Sequence, residues 1–253
     1  MIKRIPAEER HFSDFGWLKT YWLFSFSNYY DPENIQFGAL RVFNDDVVQP
    51  GKGFPPHPHQ EMEIITIVLE GEITHEDSLG NKNVIRAGDV QRMTAGKGIT
   101  HSEYNLSSEP VHFYQVWIYP DQKGLEPGYD QKTFSEDLWL NRIFPVASGQ
   151  QKKDKMVTFH TDATIYRASL EKGRELTFPT SDMRRVFLYL SSGELNINGT
   201  ELSEKDQARI DEEALLCLKA GKDSEMIIID VPSCKGWGYD TRTLKGGNAE
   251  RVQ

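Results

Sequence analysis

Two short stretches hold residues whose types and spacing suit metal chemistry. The first is Gly51-Lys-Gly-Phe-Pro-Pro-His57-Pro-His59-Gln-Glu-Met-Glu63. The second is Gly88-Asp-Val-Gln-Arg-Met-Thr-Ala-Gly96-Lys-Gly98-Ile-Thr-His101-Ser-Glu103-Tyr-Asn105. Side chains two apart on a strand project from the same face. His57 and His59 therefore point together, as do His101 and Glu103. If the two strands are neighbours lining one barrel, three imidazoles and one carboxylate converge. Three neutral nitrogens and an anionic oxygen suit Fe, Ni, Co, Cu, Mn or Zn, with no thiolate to favour soft ions. Four protein ligands on a six-coordinate ion leave two positions for water, dioxygen or a chelating substrate. The expected cofactor is one divalent transition metal, Fe(II) ahead of the others. An H-x-H pair alone is a weak signal. The added H-x-E, each pair following a Gly-rich turn, makes the metal reading the stronger one.

The remaining histidines and acids read differently. Glu63 shares parity with His59 and is expected to orient a liganding imidazole rather than to ligate. His75, beside Glu76 and Asp77 in a hairpin, reads as a surface residue. His112 alternates with Phe113, Gln115 and Trp117, so one of the two sets faces inward. His11 and His160 stand isolated.

The elements that must position these residues are strands. Short β-type runs such as Glu63–Leu69, Val111–Tyr119, Arg185–Leu190 and Glu225–Val231 are separated by Gly, Asn and Asp, the pattern of an all-β barrel or sandwich. Several lack polar alternation, which predicts burial on both faces. Helical signals are confined to Ser135–Asn141, with Asp206–Ala214 ambiguous. One unit recurs: an apolar strand, Gly71-Glu72, then a turn at Leu79-Gly-Asn81, against a second apolar strand, Gly193-Glu194, then Asn198-Gly199. The recurrence predicts two like β-domains, residues 1–148 and 149–253, joined through the polar run Gly149–Asp154.

Composition narrows the function classes. Among 253 residues, 29 Lys and Arg face 38 Asp and Glu, a net charge of −9. That balance argues against nucleic acid and against anionic lipid. The apolar stretch Tyr21–Phe26 is far too short to span a bilayer. Cys217 and Cys234 alone make no disulfide framework, so free thiols and a cytoplasmic setting are expected.

Taken together, these residues resemble the cupin superfamily, whose first motif, G-x5-H-x-H-x3-E, is met from Gly51 to Glu63. Its second motif is matched loosely by Gly88, Gly98, His101 and Asn105. More narrowly, the chain resembles the bacterial pirin-like bicupins through Gly16-Trp-Leu18, Phe24-Ser-Phe26, Tyr29-Tyr-Asp-Pro32, Leu40–Asp46, His57-Pro-His59 and Met93–Glu103. The likeness is dense over roughly residues 14–120. It implies two cupin (double-stranded β-helix, or jelly-roll) barrels packed face to face, with metal only in the first, held by His57, His59, His101 and Glu103. Aligning Gly193-Glu194 on Gly71-Glu72 sets Pro179 against His57, Ser181 against His59 and Arg185 against Glu63. No histidine follows His160, so the second barrel is expected to be a degenerate cupin without ligands.

The resemblance further implies cleavage of a flavonol, quercetin, by dioxygen with release of carbon monoxide, a quercetin 2,3-dioxygenase-like activity. Glu103 then serves as base as well as ligand. Phe54, Phe24, Phe26 and Trp117 are candidate walls for the aromatic substrate. The alternative is a pirin-like regulator that senses redox state through its metal and acts on a protein partner. A metal barrel of another enzymatic class, such as an isomerase, is the third reading.

Overall fold

The computed structural model describes residues 1–150 and 156–233. Most of the proposed linker, residues 151–154, and Cys234 lie outside the described residues. The fold is all-β. Its helical content among them is two single 3-10 turns, Ala7–Glu9 and Glu136–Leu138. The second falls inside the predicted helical stretch. The ambiguous 206–214 segment is a strand, Gln207–Asp211.

Four sheets make two barrels. In the first, a seven-stranded sheet runs in the order Gly128–Thr133, Asp89–Thr94, Glu63–Glu70, Val111–Ile118, Leu40–Val48, Leu18–Trp22, His11–Asp14. It faces a four-stranded sheet ordered Gly53–His59, Ile99–Tyr104, Glu72–Asp77, Lys82–Arg86. The second barrel repeats the plan around Arg184–Ser192 and Ser224–Pro232, with the small sheet Glu175–Pro179, Leu215–Ala220, Glu194–Ile197, Thr200–Ser203. The first part of the chain lends two strands to the second barrel: Ile2–Ile5 pairs with Gln207–Asp211, and Arg142–Ser148 with Thr164–Leu170. Both therefore belong to the second barrel's large sheet.

The large sheets pack face to face, which explains why their strands are apolar on both sides. Along Glu63–Glu70, Ile65 and Ile67 join Phe43, Tyr114, Val116, Phe187, Tyr189 and Ile229 in the layer between the barrels. Ile64, Thr66 and Val68 turn into the first barrel, each one residue out of phase, as a two-residue period requires. Phe24 belongs to the inter-barrel layer, packed 5.9 Å from Phe187, and so is not a wall of the cavity. It lies beyond the end of Leu18–Trp22, where strand alternation no longer fixes its direction.

A polar knot crosses this layer. His112 turns away from the first barrel, and its Nε2 lies 2.6 Å from Asp45 Oδ1. The Tyr189 hydroxyl donates to Asp45 Oδ2 at 2.7 Å and accepts from Arg10 at 2.8 Å. Burial acts to raise the Asp45 pKa, but His112, Lys205 and Tyr189 together hold it below the usual carboxylate value. Removing the Tyr189 hydroxyl leaves a buried charge short of one donor. Tyr189→Phe is expected to lower unfolding free energy by about 1–2 kcal/mol in urea titrations; an unchanged midpoint would show that the knot adds nothing.

The second barrel is filled. Phe178, Leu216 and Leu218, on the pair of strands equivalent to those carrying the first barrel's histidines, lie in its apolar core with Leu195 and Ile197. Among the described residues, no helix is long and apolar enough to cross a membrane.

Candidate metal centre

The antiparallel pair Gly53–His59 and Ile99–Tyr104 sets the site. Its register places His57 opposite His101 and His59 opposite Ile99. Between His101 and Glu103 the register slips, so that Glu103 faces Phe54. The extra residue falls at Pro55-Pro56, where neither nitrogen has a proton to give the ladder, a natural place for a bulge. Close approach of the two backbones demands Gly53, since a Cβ there would lie 2.1 Å from the Glu103 carbonyl oxygen. Gly96 likewise admits no side chain: its φ is +48°, and a Cβ would meet the Leu125 carbonyl at 2.0 Å.

Three of the four expected residues converge directly. Ligand atoms of His57, His59 and His101 all lie within 4.8 Å of one another. Their ring centroids are 4.4 to 4.9 Å apart. Glu103 falls in a second group of the same size with His75 and His101. His101 is common to both.

Hydrogen bonds fix the tautomers. His57 Nδ1 lies 2.7 Å from the Pro55 carbonyl, which only accepts, so that nitrogen carries the proton and Nε2 the lone pair. His75 Nε2 lies 3.0 Å from Asp77 Oδ2 and donates to it. Its Nδ1 then accepts from His101 Nδ1 at 3.4 Å. That leaves the lone pair of His101 on Nε2, a buried atom without a hydrogen-bond partner. Burial, together with the imidazoles of His57, His59 and His75, holds the His101 pKa well below its ordinary value, so the ring is neutral. A buried, neutral, unpartnered imidazole nitrogen facing two other imidazoles fits a divalent transition metal.

Glu103 is equally prepared. Gln115 Nε2 donates to its Oε2 at 3.2 Å, and the Thr66 hydroxyl lies 3.4 Å from Oε1. Burial pushes its carboxyl up to about 7 against these two bonds.

Three expectations are corrected. His75 is not a surface residue but fully buried, because Asp77 and Asn81 turn inward and give it a partner. Glu63 orients no member of the histidine cluster: it accepts from Thr94 Oγ1 at 2.8 Å and meets His160 Nδ1 at 2.9 Å. His160 is accordingly not isolated. Parity between His59 and Glu63 was broken by Glu61, whose φ of 53° ends one strand before the next begins in another sheet.

The cluster opens on a cavity of about 350 Å³ whose lining includes Trp17, Trp22, Phe26, Phe54 and Trp117. Trp17 and Phe54 meet edge to face at 5.2 Å, as do Phe26 and Trp117 at 5.3 Å. Volume and lining are those of a site for a small, largely apolar molecule. Asn44, Asp46 and Gln115 add polar groups to it. Sequence reading passed over Asn44 and Asp46, although polar residues within an otherwise apolar strand were the available signal.

Comparison with known proteins agrees with this architecture. Residues 6–118 match the family model described as Pirin, and residues 146–231 the model described as Quercetinase C-terminal cupin domain. A protein of Escherichia coli K12 named quercetin 2,3-dioxygenase is 41% identical over 92% of this chain and 99% of its own. A pirin-like protein of Caulobacter vibrioides is 42% identical over 91% of this chain and 99% of its own. The crystal structure of bacterial pirin YhhW from Escherichia coli in complex with nickel(II) superposes with a TM-score of 0.86 at 42% identity, covering 92% of this chain and 99% of that one. Two barrels, the paired histidine strands and near-complete coverage at this identity make the chain a member of the pirin family.

Proposed function

We propose that this protein is a dioxygenase that holds one divalent transition metal through His57, His59, His101 and Glu103 and opens a flavonol such as quercetin with O2, releasing carbon monoxide. The observation that carries the reading is the unpartnered Nε2 of His101, buried beside two further imidazoles at a cavity with aromatic walls. The names of the relatives supply the reaction class, and the nickel complex of YhhW supports a single divalent ion. The metal belongs to the first barrel alone, since the matching strands of the second contribute an apolar core.

When bound, the ion supplies Lewis acidity, lowering the pKa of an enolic hydroxyl, and access to one-electron chemistry with dioxygen. The chain does the rest. Trp17, Phe54 and Phe26 sandwich the aromatic substrate and exclude water. Glu103 takes the hydroxyl proton. A carboxylate positioned beside the reacting hydroxyl is the group such a proton transfer needs. Thr66 and Gln115 hold its two oxygens in place while the proton arrives.

Oxygen uptake and loss of flavonol absorbance are measured with nickel-, iron- or cobalt-loaded protein. Turnover is expected with at least one ion, reduced about 100-fold or more in Glu103→Gln, which keeps the shape but removes the carboxylate that serves as ligand and base. Rates no higher than those of the free ions would overturn the reading.

A further inference from the structure

The cavity carries polar groups for which the proposed reaction has no use. Register sets Asn44 beside Gln115, Gln115 beside Thr66 and Thr66 beside Gln91, one row across the inner face of four strands. Asp46 stands two residues further along the same face, opposite Phe113. Thr20, also buried, stands beside Asp46 on the next strand, and beyond these residues Leu18, Val48, Val68 and Phe113 pack into one apolar cluster. Of these polar residues, Asn44, Asp46 and Gln115 line the cavity.

Gln115 and Thr66 direct their hydrogen bonds to Glu103 and to each other. Asn44 and Asp46 do not complete theirs. Each is only 3% exposed, both line the cavity, and Oδ1 of each has no hydrogen-bond partner. The indole Nε1 of Trp117, on the same cavity, is also buried without a partner. Buried polar atoms are nearly always hydrogen-bonded, and those left unpaired in a pocket are the ones a ligand completes. Two acceptors and one donor on cavity-lining residues are thus left without partners.

We propose that Asn44, Asp46 and Trp117 form a recognition wall for a hydroxylated aromatic ketone. Hydroxyl groups of the ligand donate to Oδ1 of Asn44 and Asp46, and its carbonyl oxygen accepts from Trp117 Nε1. The inference deepens the dioxygenase reading and rests on it for the ligand's role as substrate, though not for its binding. Discrimination follows from the same atoms: an aromatic without those hydroxyls enters the apolar walls equally well but leaves both acceptors buried and unpaired.

Calorimetric titration of nickel-loaded protein with quercetin and with 3-hydroxyflavone tests this. The second compound keeps the enolic hydroxyl and the carbonyl and lacks the other hydroxyls. Wild-type protein is expected to bind quercetin about tenfold tighter or more. Asp46→Leu reduces that preference to less than about threefold while leaving the affinity for 3-hydroxyflavone within about twofold. Asn44→Ala gives the same result and carries the test should Asp46→Leu fail to fold. Trp117→Phe weakens both ligands by one common factor, since both have the carbonyl. A preference that survives in the two polar variants, or an equal loss for both ligands there, overturns the wall. Oxygen uptake on the same samples separates the two claims. Discrimination without turnover sinks the dioxygenase reading and upholds the wall, whereas turnover without discrimination does the reverse.

Discussion

His101→Ala abolishes stoichiometric uptake of divalent metal. Of the candidate ligands it alone belongs to both clusters, the one with His57 and His59 and the one with His75 and Glu103. Its tautomer is set by the Asp77 to His75 to His101 chain, and its Nε2 has no other partner. Deleting the ring removes the member that the imidazole pair and the carboxylate share. Affinity for nickel or iron is expected to fall about 100-fold or more, by calorimetry and by metal content after gel filtration. Stability reports the same loss independently. Metal at about 1,000 times its dissociation constant stabilises a folded protein by about 4 kcal/mol, and the variant should gain none of it. His75→Phe is the graded companion: it keeps all four proposed ligands but frees His101 to rotate, and should cost about 10- to 100-fold in affinity. Uptake by His101→Ala equal to that of the wild type would remove His101 from the ligand set.

The pairing of His57 with His59 and of His101 with Glu103 was legible because strand geometry has a period of two and both pairs lie within single strands. Convergence of the three imidazoles was legible only as a condition, that the strands be neighbours, and register supplies it by setting His57 opposite His101, while Glu103 meets His101 in a second group. The same parity rule failed across Glu61. A left-handed residue there separates two strands of different sheets, and nothing in the spacing of His59 and Glu63 announces the break. His75-x-Asp77 has the spacing of His101-x-Glu103 and sits opposite it in the ladder, His75 facing Glu103 and Asp77 facing His101. The adjacent charges suggested a solvated hairpin; the bond from His75 to Asp77 and tertiary contact with His101 override that local composition. Asn44 and Asp46 escaped for a different reason. Alternation along Leu40–Val48 assigns them a face, but only the closed barrel makes that face the wall of a cavity.

The metal-free protein should lose stability as pH rises from 6.5 to 8, by about 2 kcal/mol at about 1.4 kcal/mol per proton per pH unit. Two buried carboxyls cause this. Burial pushes Glu103 up to about 7. Burial also pushes Asp46 up to about 8, reinforced by the neighbouring carboxylates of Asp45 and Glu103. In the unfolded chain both groups ionise near pH ~4, so above that the native state binds more protons than the unfolded state. Stability then falls with rising pH until each folded pKa has been passed. His75 and His101 act in the opposite sense. Burial keeps them neutral in the native state, so they add stability as pH rises through 6.5, with a diminishing remainder above it. The carboxyls therefore dominate the window from 6.5 to 8. Urea unfolding of chelator-treated protein at its two ends measures the effect, and Asp46→Asn should remove about two thirds of the carboxyl contribution; a flat profile would mean that both groups ionise normally. Metal reverses the Glu103 share, because a ligating carboxylate must first release its proton. Metal affinity should consequently rise about tenfold per pH unit up to about 7 and then level, while loaded protein keeps only the decline contributed by Asp46.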